Sequence, residues 1–470
     1  MVVVAAILCG VAGWAVVLGC VVARFRNDER LSWSSSMFTI WLDGAPWADG
    51  LRRRMALHRR PAARAWRRWF AIGPPIAVVL MVVSAVVLLT NFVRVFLLLA
   101  SPGAHVAHAD VPSTLVVPLI PAVTFPIWQT VYLWVAVLVS VVIHEIGHAA
   151  CAIVYDVPIT RIGVASVFLI PIAFVEIDQQ RLEARSHVAR QVASAGILHN
   201  VALAVLCRML ISLLPVLLLP LYSSGARPII SWISPESPLY ANVTAGCDAV
   251  VASLNGVPVT SAASLQDHLS GMAVGPPGLC MDRSAIDASR LRFGSECCNS
   301  STAPGHCFQA DDSTPSFCVA SRDVLPSRPI QCVQRDQCKA AGDRCVAPSA
   351  QGQRVVYIDI QTRTLIFVGD PLLLGATMEV ADLQPRLPGV VPVRGPIVVA
   401  EFLRLAMSVS TSLAFVNAAP VNYFDGEHIA MAFLTPSSNG AALVESALHI
   451  GSLCLIANVI LGVAVKLLAR

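Results

Sequence analysis

The pentapeptide His144-Glu145-Ile146-Gly147-His148 stands in a run almost free of charge. On a helix, positions i and i+4 share one face, so the two imidazoles can bind one Zn²⁺ ion. The glutamate between them can act as general base on a water activated by that ion. Ionisable groups inside a membrane segment are costly and point to function. The plain alternative is a histidine pair hydrogen-bonded between helices.

A catalytic zinc needs a third protein ligand and an open position. Asp425 is the leading candidate. It closes Asn417-Ala-Ala-Pro420-Val-Asn-Tyr-Phe-Asp425-Gly426, after the uncharged run Leu405–Phe424. An aspartate capping a helix at a membrane boundary is the bland alternative. Depth favours a ligand, because His144 and Asp425 fall toward the C-terminal ends of two spans that run in the same direction. Glu427 and His428 are nearby rivals beyond the turn glycine. Between these spans lies Ala195-Gly196-Ile-Leu-His199-Asn200. Asn200 could orient a substrate backbone or stabilise an oxyanion, or simply join two helices. Gly196 would allow close helix approach. Glu176 could also face the site, with less to support it.

The elements that must position these residues are membrane spans. Charged residues make up 13% of the 470 residues and hydrophobic ones 56%, with a mean hydropathy of +0.69. Too little charge is present to cover a soluble surface, and disorder or a nucleic-acid partner is excluded on the same ground. About six spans are expected: Met1–Ala23, Ala71–Val93, about Trp128–Val154, 191–220, 402–424 and 443–466. A cleaved signal is the minority reading of the first. A proline-broken stretch before the third span suits an irregular or re-entrant piece. Residues 162–175 are apolar but too short to cross, and suit a re-entrant hairpin or interfacial segment.

Residues 24–74 hold eleven arginines against four acids, which places this loop in the cytosol. Leu51–Trp69 reads as a basic helix at a membrane surface or as a solvated loop. Residues 222–395 are mostly polar and hold nine of the fourteen cysteines, eight of them within 280–345. Disulfides fit this better than a zinc cluster, because paired knuckle spacings are missing. That puts the segment in the lumen, as do the glycosylation candidates Asn242 and Asn299. Span parity from this lumenal segment returns the arginine-rich loop to the cytosol.

H-E-x-x-H in one span, N-x₂-P-x₄-D-G in a later one and G-x₃-N between them resemble the site-2 proteases, the intramembrane zinc metalloproteases. The uncharged first span, Glu296-Cys-Cys-Asn299 in the cysteine-rich stretch and Val368-Gly-Asp-Pro-Leu372 are similar to the eukaryotic branch of that family. The chain departs in its short polar link, Ser101–Pro112, where some relatives carry a long serine tract. The resemblance implies an α-helical polytopic membrane protein with a lumenal PDZ-like α+β domain. Residues 249–269 would begin that domain, the strands of Arg354–Phe367 would complete it, and a cysteine-rich insertion of about 276–350 would interrupt it. The implied divisions are 1–70, 71–221, 222–395 and 396–470.

The resemblance further implies one Zn²⁺ held by His144, His148 and Asp425, with Glu145 catalytic. Asn200 and Asn417 would hold the substrate backbone. Substrates would be single-span transcription factor precursors already trimmed in the lumen, such as sterol regulatory element-binding proteins, in the Golgi or endoplasmic reticulum membrane. The competing classes are an inactive membrane scaffold and a metal transporter. A scaffold would have lost a ligand or the glutamate. A transporter would spread its acids and histidines along successive spans, whereas here they gather at one depth.

Overall fold

In this computed structural model the described residues are 31–33, 37–100, 130–167, 170–235, 249–274, 278–293, 306–310, 316–319, 330–338, 342–350, 352–360, 363–387, 389–434 and 438–468, with isolated positions between them. The expected first span, the proline-broken stretch before the third span, Asn242, Cys247 and 296–299 lie outside them. The chain divides into two compact units, 1–211 with 401–470, and 212–400.

The first unit opens with strands β1 (Leu31–Trp33) and β2 (Met37–Asp43), then helices α1 (Gly44–Arg54) and α2 (Arg60–Ala71). Helix α3 (Gly73–Ala100) follows at once, with Pro74 and Pro75 in its first turn, where the helix has no use for their missing N–H groups. After α4 (Thr130–Val154) the chain forms a β3–β4 hairpin (Ile159–Val167 and Ile170–Ile177), a short helix α5 (Gln179–Glu183) and the long helix α6 (Ser186–Leu217).

The four strands make one antiparallel sheet in the order β1-β2-β3-β4. The apolar segment 162–175 is thus a β-hairpin, and the basic segment before α1 adds two strands to it. Met37 pairs with Val167 and Asp43 with Arg161. Beyond these strands, Gly44–Arg54 and Arg60–Ala71 of the basic segment are helical. Met55 and Phe70 are buried, and Trp66 and Trp69 pack beside them against the small residues Ala149, Ala150 and Ala152 of α4. Most of the arginines of α1 and α2 stay exposed.

The second unit begins with the long strand β5 (Tyr222–Ile233). Strands β6 (Val251–Leu254) and β7 (Val257–Pro258) form a hairpin around Asn255-Gly256. Both turn residues have positive φ, 48° and 79°, as a two-residue type I′ turn requires. Then come α7 (Ala262–Val274), β8 (Gly278–Asp282), α8 (Arg283–Phe293), β9 (His306–Ala310), β10 (Phe317–Val319), β11 (Gln331–Cys332), β12 (Asp343–Pro348), β13 (Arg354–Ile360), β14 (Arg363–Gly369), α9 (Pro371–Thr377) and β15 (Met378–Pro385).

Three sheets result: β14-β13-β6-β7, β10-β9-β12-β8-β11, and the pair β15-β5. Strand β13 joins two cores by its period of two. Val356, Ile358 and Ile360 face Leu254, Leu265 and Leu269. Val355 and Tyr357 face Met281, Phe308 and Phe317. The cysteine-rich sheet carries the disulfides Cys280–Cys338 and Cys332–Cys345. Cys307 and Cys318 are also disulfide-bonded.

Helices α10 (Gly395–Ala418), α11 (Asp425–Leu434) and α12 (Ser438–Leu468) bring the chain back to the first unit. Among the described residues, five helices are long and apolar enough to cross a membrane: the continuous stretch of α2 and α3 together, and α4, α6, α10 and α12. Polar side chains join them pairwise. Asn91 of α3 donates to Asn458 Oδ1 of α12, and Asn458 Nδ2 donates to the Leu88 carbonyl at 2.9 Å. Ser140 of α4 meets Ser410 of α10 at 2.8 Å. Between apolar helices such bonds fix which faces meet and each contributes about 1 kcal/mol.

The fifth span begins and ends earlier than its apolar run suggests, at Gly395 and Ala418. The helix stops at Ala418 rather than near residue 424. Pro420 disfavours helix at the residue before it and has no N–H to continue the ladder. Residues 419–424 turn, and Asp425 opens a separate helix.

Candidate metal centre and cleft

The C-terminal half of α4 is built for close packing. Ala149, Ala150 and Cys151 are buried, so neighbouring helices approach its backbone. The i and i+4 spacing sets His144 and His148 on one face, with ring centroids 4.8 Å apart. Helix α6 packs on that face through Gly196. A Cβ at Gly196 would lie 2.6 Å from His144 Nε2 and would also collide with the His148 ring. Only glycine fits there. Gly196→Ala should therefore displace the imidazoles and lower any activity of the site at least about 100-fold, the scale of a misplacement near 1 Å. A turnover assay beside a zinc analysis checks this.

Asp425 reaches the pair from the turn after α10. Glu427 Oε2 accepts the N–H of Tyr423 at 2.7 Å, and Tyr423 adopts a φ of 70°. A Cβ at Gly426 would run into the Ala418 and Ala419 carbonyls, so the D-G pair lets α11 start tightly against the end of α10. At the start of α11, the helix dipole favours a carboxylate.

The three side chains converge on one point. Asp425 Oδ2 lies 3.1 Å from His144 Nε2 and 3.3 Å from His148 Nε2. The two Nε2 atoms are 3.1 Å apart. The histidines are buried, and Asp425 Oδ2 is a buried oxygen without a hydrogen-bond partner. Ligands at about 2.0–2.1 Å around a tetrahedral Zn²⁺ stand about 3.3 Å apart, so these separations and this donor set fit that ion. His148 Nδ1 meets the Val192 carbonyl at 2.8 Å, which leaves the Nε2 lone pair free to face the centre.

Glu145 lies beside the centre and accepts a hydrogen bond from the backbone N–H of Val175 in β4. A cavity of about 980 Å³ opens here, lined by Glu145, His148 and Asp425 with Val175, Arg190 and Phe433 among others. The Arg190 guanidinium stacks 5.0 Å over the Phe433 ring. Glu427 and His428 line the cavity but stand outside the converging set.

Asn200 is fully buried, with Nδ2 3.0 Å from His144 Nδ1, and is not part of the cavity wall. Asn417 is half-buried in the last turn of α10, also off the cavity wall. Glu176 is turned away, paired with Arg161 at 3.8 Å. The contribution of β4 escapes a reading of the sequence. The β-branched residues of 159–177 are the signal that could have revealed it.

Apolar spanning helices around buried histidines and an aspartate define the class, and comparison agrees. Residues 132–458 match the model of peptidase family M50, and the chain belongs to that family of metallopeptidases. It is an integral membrane protein. It is 24% identical over 421 residues to the "Membrane-bound transcription factor site-2 protease homolog" of Arabidopsis thaliana, covering 77% of this chain and 79% of that protein.

Proposed function

We propose that the chain is an intramembrane zinc endopeptidase, with His144, His148 and Asp425 as ligands and Glu145 as the general base. The observation that carries this is the convergence of three donor atoms, 3.1–3.3 Å apart, at the wall of a cavity that Glu145 shares. Bound Zn²⁺ supplies Lewis acidity and makes water a nucleophile near neutral pH.

The chain's own groups do the rest. Glu145, held by the Val175 N–H, takes the proton of the attacking water and passes it to the leaving amine nitrogen. A helical substrate hides its amides and must unwind first. Among the described residues, strand β4 is the edge of its sheet and lines the cavity through Val175 and Ile177. An extended substrate segment laid along β4 would regain backbone partners as it loses its helix.

The relative's name supports membrane-bound transcription factors as substrates, and the resemblance to the site-2 proteases implies that a first lumenal cleavage precedes the cut. We assign the protein to the Golgi or endoplasmic reticulum membrane, with 222–395 lumenal and the centre near the cytosolic face. The disulfides of the second unit support a lumenal side. The sheet β14-β13-β6-β7, its Asn255-Gly256 hairpin and helix α7 support a PDZ-like reading, with the cysteine-rich sheet inserted at about 276–350. An inactive scaffold or a metal transporter is the alternative. Purified protein should cleave a single-span substrate, lose that activity to a zinc chelator and regain it with Zn²⁺. Cleavage indifferent to chelation would refute the zinc mechanism.

A further inference from the structure

We propose that Asn200 is a positioning residue of the metal centre: its side-chain carbonyl accepts the Nδ1–H of His144 and holds that ring with the Nε2 lone pair toward the ion. This rests on the zinc reading above and assigns Asn200 a different task from binding substrate.

The two histidines are held differently. His148 Nδ1 faces a backbone carbonyl, Val192 O, at 2.8 Å, so its tautomer is set by the main chain. His144 Nδ1 instead faces the Asn200 amide at 3.0 Å. A neutral imidazole carries one proton. For Nε2 to bind a metal, that proton must sit on Nδ1 and needs an acceptor.

Asn200 can supply it. As placed, its Nδ2 points at Nδ1 and its Oδ1 is buried without a partner. A half-turn about the Cβ–Cγ bond exchanges the two atoms and needs no change in packing, because the amide's two ends have nearly the same shape. The carbonyl then meets the Nδ1–H. A buried donor facing a donor would cost about 1–3 kcal/mol, and the turn removes that conflict.

The placement also argues against contact with substrate. Asn200 has no exposed surface and does not line the cavity from which Glu145 and Asp425 are reached. Gly196 and Asn200 are four residues apart on α6 and share a face. The glycine lets the helix approach, and the asparagine reaches the ring that the glycine leaves clear.

The test compares Asn200→Leu with Asn200→Asp in the full chain, measuring zinc per chain by mass spectrometry after dialysis against chelators of graded strength. Leucine removes the acceptor at similar size. Zinc affinity should fall about 10–100-fold, the usual cost of losing such a partner. A carboxylate accepts but cannot donate, so Asn200→Asp should keep zinc within a few-fold of wild type. Should Asn200→Leu fail to fold, Asn200→Asp decides alone: a tenfold or greater loss of zinc affinity there overturns the proposal. Wild-type zinc retention in folded Asn200→Leu overturns it as well. His148→Ala, measured in parallel, separates the two readings. If it too keeps zinc, the assignment of the centre itself fails.

Discussion

Glu145→Gln is expected to abolish cleavage while the protein keeps its zinc. The substitution preserves the shape of the side chain and leaves His144, His148 and Asp425 in place. It removes the group that accepts the proton of the attacking water and later protonates the leaving nitrogen. General base catalysis of this kind contributes about 10²–10⁴-fold, and here one residue serves both proton transfers, so the loss should fall at the upper end. Cleavage of a co-expressed single-span substrate, followed by immunoblot beside a zinc analysis of the purified variant, reads both quantities. Undiminished cleavage would remove Glu145 from the mechanism. Lost zinc would mean that Glu145 supports the centre rather than the chemistry.

Asp425→Ala is expected to cost both metal and activity. In the native chain Oδ2 faces both histidine Nε2 atoms and has no other partner. Alanine leaves two neutral imidazoles, without the carboxylate charge that offsets a buried dication. Zinc should fall from about one per chain to a small fraction after dialysis, with cleavage lost in parallel. If occupancy and activity both survive, Asp425 is not the third ligand, and Glu427 or His428 would have to be tested in its place.

Local signals in the sequence were readable where one element contains the whole pattern. The His-Glu-x-x-His spacing lies within a single helix, and a helix of 3.6 residues per turn places its members without help from the rest of the fold. Asp425 was visible because a long uncharged run ends at it. The same run misled about the end of the helix. No charge interrupts the run before Asp425, whereas Pro420 already breaks the backbone pattern.

Other features depend on residues far apart. The sheet joins Met37–Asp43 to Ile159–Val167, and no local period announces a partner so distant in sequence. Disulfide pairing is of the same kind. Cys280 finds Cys338 and Cys332 finds Cys345 through the packing of strands β8, β11 and β12. The Gly196 contact was suggested by residue type alone, but the ring it clears and the amide it brings up belong to tertiary structure.

The most direct measurement maps the cut. Purified protein in vesicles, given a single-span substrate with a labelled terminus, should release products whose new ends lie within the apolar segment by mass spectrometry. The Glu145→Gln protein, prepared in the same way, should release none. New ends confined to the segments flanking the membrane, or identical products from the variant, would contradict intramembrane hydrolysis at this centre.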